Sequence, residues 1–255
     1  MKLLKLGGSV ITNKKGWREA NLKNIEALTK YVAKAWKKSS RDWIFVHGAG
    51  SFGHPLVVKY NLNDGVTSTE QKLGVAITHD ACMELSVLVC SALNAEGVPA
   101  ISVPPAMVIT SKNKRIHSFN TKLINDYLES GYVPLLFGDM VPDLELGGSV
   151  CSGDQIISYL GKEAEKIILS TDVDGVLDDF GKVIPEINEQ NFESVARHLK
   201  PSDQNKKDVT GAMAGKLKEL LELNTPSYIV NGLKPERVEA LMLGKETVCT
   251  RVSKK

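Results

Sequence analysis

Seven short apolar runs, each bounded by glycine, proline or asparagine and separated by longer stretches of helical pattern, constrain this chain more than any other feature. Such runs have no polar face, so both faces must be covered. That is the mark of a mainly parallel sheet with crossover helices. The runs place strands at 2–6, 43–47, 100–103, 133–137, 166–170, 227–230 and 247–251, with helices at 22–38, 69–96, 121–130, 153–164, 191–198, 211–223 and 235–243. The fold class is therefore α/β, a three-layer αβα sandwich around a mainly parallel sheet. At 255 residues one such domain can bury a full core. A single domain over 1–255, or two closely packed lobes, is expected from this length.

Two segments interrupt the pattern. Residues 108–117 form a polar stretch and 139–150 a stretch rich in glycine and carboxylates, and both are expected to be hairpins able to act as lids. The helix at 69–96 carries Leu73, Ile77, Ala81, Met83, Leu85, Val87, Leu88 and Leu93 on more than one face. Such a helix is core, or half core and half partner interface.

A net charge of +2 gives no basic patch for nucleic acid. The four cysteines, Cys82, Cys90, Cys151 and Cys249, form no CxxC pair, which points to buried reduced thiols rather than zinc or disulfides. The first residues lack a signal-length apolar run, and no segment approaches 18 uncharged apolar residues. A cytoplasmic enzyme without membrane or nucleic-acid partners is expected.

Five constellations carry chemistry. Lys5, Leu6, Gly7, Gly8 and Ser9 end the first strand, where a lysine among leucines needs an anion and two glycines let backbone amides approach it. A plain strand-to-loop turn with a solvated lysine is the alternative. His47 to His54, HGAGSFGH, follows the second strand and is expected to be a loop of exposed amides at the usual ligand edge of an α/β sheet. It matches neither the dinucleotide nor the P-loop pattern. His47 is expected to be structural, and His54 to touch ligand. Ser152, Gly153 and Asp154 cap a helix whose amides suit an anion, though ordinary capping reads the same way. Asp172 and Asp174, in TDVDGV, put two acids after a strand, where ribose hydroxyls, magnesium or a lysine could use them. Gly211, Gly215 and Lys216, in DVTGAMAGK, open a late helix with close-approach glycines and a cation, or else sit on a solvated face.

In this order, KLGGS, HGAGSFGH, SGD, TDVDGV and DVTGAMAGK resemble the amino acid kinase superfamily over nearly the whole chain. GSFGH, ITNK and SVP at 102–104 are similar to the isopentenyl phosphate kinase family within it. The resemblance implies the amino acid kinase fold, with an acceptor-binding lobe at about 1–160 and a nucleotide-binding lobe at about 161–255. The implied reaction is ATP-dependent phosphorylation of isopentenyl phosphate to isopentenyl diphosphate, in isoprenoid precursor synthesis, with Mg2+ and in a homodimer. Lys5, Leu6, Gly7, Gly8, Ser9, Gly50, Asp174, Gly211, Gly215 and Lys216 would serve ATP. Ala49, His54 and Gly153 would hold the acceptor phosphate, and Lys14, or its neighbour Lys15, would stabilise charge in transfer with Lys5 and His54. No protein metal ligands are assigned. The chain departs from the family pattern at Ala49, where a third glycine is usual, and at Asn13, where aspartate is usual.

A phosphate monoester has a second pKa near ~6, so its oxygen is already an anionic nucleophile and needs no general base. The site must instead neutralise two phosphates and hold them in line. His54 is therefore expected to give a hydrogen bond or positive charge rather than to take a proton. The tail needs an apolar pocket walled by the 69–96 helix, with Ile77 and Met83 as candidates. The rival readings are a kinase of this fold for another small anion, such as fosfomycin or a carboxylate, or a nucleotide-binding protein that has lost transfer. His54 argues against a carboxylate acceptor; Lys5, Lys14 and Lys216 together argue against lost transfer.

Overall fold

In the computed structural model, which describes residues 1–199 and 207–254, all seven predicted strands form and lie in one eight-stranded sheet. In chain order the elements are β1 (Lys2–Leu6), α1 (Gly8–Ile11), α2 (Leu22–Trp36), β2 (Trp43–His47), α3 (Gly50–Lys59), α4 (Thr69–Ala95), β3 (Ala100–Ser102), α5 (Pro105–Val108), β4 (Ile109–Lys112) and β5 (Arg115–Phe119). There follow α6 (Thr121–Glu129), β6 (Val133–Phe137), β7 (Asp139–Asp143), β8 (Gly147–Cys151), α7 (Gly153–Leu160), a 3-10 turn (Gly161–Glu163) and β9 (Lys166–Thr171). The last are β10 (Glu186–Ile187), α8 (Phe192–His198), α9 (Lys207–Glu222), β11 (Ser227–Asn231), α10 (Pro235–Met242) and β12 (Thr250–Val252).

The sheet order is β10-β12-β11-β9-β1-β2-β6-β3. Pairing is parallel except between β11 and β12. Alternation along each strand feeds two cores. Leu4, Leu6 and Phe45 pack with α2, α3, α4 and α10 on one face, while Leu3, Ile44 and Val46 pack with α7 and α9 on the other. The chain leaves central β1 toward β2 and later returns to β9 on its other side. Strand order reverses there, and the crevice at the carboxyl ends of such strands is where ligands bind in open α/β sheets.

The two predicted hairpins form, but they are not separate lids. They join through β4 and β7 into one four-stranded sheet, β5-β4-β7-β8, whose inner pairing rests on Ser111 opposite Asp143. Helix α4 starts with a capping box, the Ser68 hydroxyl accepting from the Gln71 amide at 3.1 Å and the Gln71 side chain accepting from the Ser68 amide at 3.1 Å. By length and composition α4 could cross a membrane, yet it packs along α2, α3 and the sheet. Ala81, Cys82, Leu85, Val89 and Leu93 are buried, and Leu73 and Val87 stay exposed.

The largest local departure from the sequence reading is α3. GSFGH is a helix, not a loop, so His54 stands in its second turn. Pro55 lies inside it and has no N–H for the Ser51 carbonyl one turn earlier. That carbonyl accepts instead from the Arg18 amide at 3.1 Å, which ties the loop bearing Lys14 to α3.

Candidate active site

The loops after β1, β2 and β9 meet by backbone contact. A Cβ on Gly48 would stand 2.8 Å from the Gly8 nitrogen, and one on Gly8 would stand 2.8 Å from the Gly50 nitrogen. Gly50 also has φ +51°, and a Cβ there would be 2.1 Å from the Thr12 hydroxyl. Ala49, by contrast, sits in ordinary right-handed helical geometry at φ −71°, so a methyl is tolerated where the family pattern has glycine. Its methyl is matched by Gly53, where a Cβ would lie 2.6 Å away.

Beneath these loops opens a cavity of about 660 Å³. Its lining carries the polar or backbone groups of Lys5, Gly8, Ser9, Lys14, Ala49, Gly50, His54, Asp139, Gly153 and Asp154 together with Thr78 and the apolar side chains of Val57, Val58, Cys82, Met140 and Val150. Eight of the predicted site residues are therefore brought together. Residues at the N-termini of α3 and α7 both line the cavity, and helix N-termini favour anions.

Lys5 is buried and pairs with Asp154 at 2.7 Å, and Lys216 approaches the same carboxylate at 3.7 Å. Burial pulls the Lys5 ammonium below its ordinary value, and Lys216 adds to this. Burial alone would raise Asp154, but the charges of Lys5 and Lys216 outweigh it and hold the carboxyl below the usual range. Asp154 thus joins two lysines far apart in sequence, a role missed by the sequence reading, which took the segment as an anion site or an ordinary cap. Lys14 pairs with Asp172 at 2.6 Å, an acid the sequence reading noticed but left unassigned. Asp139 was missed altogether. Its buried carboxylate lines the cavity and holds His79 of α4 at 2.9 Å, the Met140 amide at 2.8 Å and the Ala106 amide at 3.3 Å. Its signal was an acid directly after a buried strand, obscured by the glycine and carboxylates of the hairpin that follows.

The remaining predicted residues lie elsewhere. The Leu6 side chain is core, and its carbonyl accepts from the Gly48 amide at 3.0 Å. The Gly7 amide donates to the Ser170 hydroxyl at 3.2 Å. Asp174 accepts from Asn231 at 2.7 Å and from Lys234 at 3.0 Å, with Arg237 also at 3.0 Å; these partners hold its pKa down to about 2. The DVTGAMAGK motif opens α9, as expected, beginning at the second described residue of the helix. Gly215 faces open space beside a second cavity with Arg115, Tyr159 and Lys218, and the surroundings of Gly211 lie outside the described residues. His47 is structural, as expected: it is buried, stacks on Phe137 at 5.3 Å, and burial lowers its pKa to about 4. On α4 the cavity wall is Thr78 and Cys82. Ile77 packs into the main core and Met83 is not in the lining, so the predicted tail contacts are corrected by one position along the helix.

A model of the amino acid kinase family matches residues 1–231. The isopentenyl phosphate kinase of Methanothermobacter thermautotrophicus is 38% identical over the full length of both chains. The chain belongs to the amino acid kinase family, on its isopentenyl phosphate kinase branch. The isopentenyl phosphate kinase of Methanocaldococcus jannaschii is 31% identical over 96% of each chain. A solved isopentenyl phosphate kinase structure superposes with a TM-score of 0.84 at 34% identity, covering 99% of both chains. Amino acid kinases are phosphotransferases, and a polar crevice at the strand-order reversal fits that chemistry.

Proposed function

We propose that this chain transfers the γ-phosphoryl group of ATP to isopentenyl phosphate, forming isopentenyl diphosphate and ADP. The observation that carries this reading is one cavity whose lining combines Lys5, Lys14 and the N-termini of α3 and α7 with the apolar Val57, Cys82, Met140 and Val150. That combination fits a phosphate with a short apolar tail. An oxygen of the acceptor phosphate attacks the γ-phosphorus as the bond to the bridging oxygen of ADP breaks. Ala49, Gly153 and His54 hold the acceptor, His54 supplying a hydrogen bond or positive charge. Lys5, Gly8, Ser9, Gly50 and Lys216 serve the ATP phosphates, and Lys14 stabilises the charge in transfer. The acceptor belongs to the lobe at about 1–160 and the body of the nucleotide to that at about 161–255, with the ATP phosphates reaching Lys5, Gly8, Ser9 and Gly50 of the first.

Among the described residues no group of three or more His, Cys, Asp or Glu side chains is placed to hold a metal ion. Asp154 and Asp172, which stand at the phosphate loops, are each paired with lysine. This donor set suits a magnesium ion held by nucleotide phosphates and water, which neutralises phosphate charge when bound. Exposed Leu73 and Val87 on α4 support a homodimer. The packing of α4 within the fold supports a soluble cytoplasmic enzyme.

The test is ATP consumption with magnesium against isopentenyl phosphate, dimethylallyl phosphate, fosfomycin, acetylglutamate, glutamate and carbamate. Turnover is expected with isopentenyl phosphate, with a loss of about 100-fold or more in His54→Ala. Turnover confined to another acceptor overturns the assignment, and His54→Gln retaining most activity overturns a charge role for His54.

A further inference from the structure

Asp172 gathers donors from three neighbouring points. Its Oδ2 accepts from the Lys14 ammonium at 2.6 Å, and its Oδ1 accepts from the Ser9 hydroxyl at 2.9 Å and the Thr171 hydroxyl at 3.3 Å. Lys14 comes from the loop after α1, Ser9 from the first turn of α1 itself, and Asp172 from the loop after β9. The pair therefore crosses the crevice from one lobe to the other. The Lys14 side chain is 56% exposed, and ion pairs in such surroundings contribute little to stability. A long exposed lysine would otherwise sample many rotamers, and the entropy of fixing it would fall on the transfer step. Both oxygens of Asp172 accept from groups that line the cavity, Ser9 and Lys14.

We infer that Asp172 is a positioning residue that presets Lys14 and Ser9 across the gap through which the phosphoryl group passes. This rests on the assignment of Lys14 to transfer, because Asp172 acts through Lys14 and touches neither substrate. Two signatures separate this role from a structural one. Removing the charge disturbs kcat rather than substrate binding, and taking a carboxylate away from the phosphate loops leaves the KM for ATP unchanged or lower. Its effect also disappears once Lys14 is gone, since groups acting in series are not additive.

The experiment is a double-mutant cycle of Lys14→Ala, Asp172→Asn and the double variant, assayed with ATP, magnesium and isopentenyl phosphate, alongside ATP binding and thermal unfolding. Asp172→Asn is expected to lower kcat by about 10- to 100-fold without raising the KM for ATP. In the Lys14→Ala background the same change is expected to alter kcat by less than about twofold. An equal loss in both backgrounds, an unchanged kcat, or full recovery on raising magnesium overturns the inference; the last would make Asp172 a metal-site residue. Lys14→Ala with wild-type turnover overturns the role of Lys14 itself, and that failure is visible in the single variant alone. If Asp172→Asn does not fold, Asp172→Ser takes its place under the same criteria.

Discussion

On the β1–β2 side of the crevice the backbone itself is the packing element, whereas on the β9–β11 side charged side chains fill the space between loops. Gly8, Gly48 and Gly50 interlock with no room for a Cβ, while Asp172 and Asp174 gather lysine, arginine, asparagine and serine donors. Backbone packing fixes the positions of the loop amides and is indifferent to salt. Charge networks at a half-exposed edge are weakened by solvent and salt. Asp154 joins the two designs, with one lysine from each side.

The largest expected break is on the backbone side. Gly48→Ala places a Cβ against the Gly8 main chain, which cannot yield as a side chain can, so a stability loss of about 3 kcal/mol is expected together with lost turnover. Urea unfolding would measure it, and a loss under about 1 kcal/mol would mean the loops are not interlocked.

Next is the joint. Asp154→Asn leaves Lys5 buried without its counter-charge. Breaking a buried pair costs about 3–5 kcal/mol, reduced here to about 2 kcal/mol because Asp154 is 32% exposed. The folded carboxyl lies below its unfolded value, so the stabilisation is complete above about pH 4 and lost as pH falls through the folded value. Unfolding midpoints at pH 7 and pH 3 would show it: the difference between wild type and variant should shrink at the lower pH, and a constant difference would assign the loss to packing.

The smallest effect is expected at Asp174. Asp174→Asn should cost less than about 1 kcal/mol, with the difference falling further in high salt. Because the folded pKa is about 2, the stabilisation is present above the unfolded value of about 4 and disappears between the two. A loss as large as that of Asp154→Asn would erase the contrast between the two sides.

The sheet was legible because a strand with two covered faces has no polar positions, and that signal is local. The polar part of the cavity lining was legible through glycines and lysines after strands. What escaped depends on partners far away in sequence. Helix α3 is full of glycine and contains proline, so its local preference is for a loop; the Thr12 hydroxyl accepting from the Ser51 amide at 3.1 Å, and Arg18 on the Ser51 carbonyl, supply what propensity withholds. The joining of the two hairpins rests on a pairing between Ser111 and Asp143 that neither segment announces. On α4 apolar residues occur all round, and the wall proved to be threonine and cysteine, the small members that leave space.

Pro55 gives the site a kind of mechanical grammar. A ring stands where an amide hydrogen would be, and the vacated carbonyl of Ser51 becomes the socket for a different part of the chain. Histidine and lysine, more than one helix apart in sequence, thereby ride on the same frame. The backbone bond from Arg18 to Ser51 is thus a direct link through which a shift of α3 would be passed to the loop of Lys14.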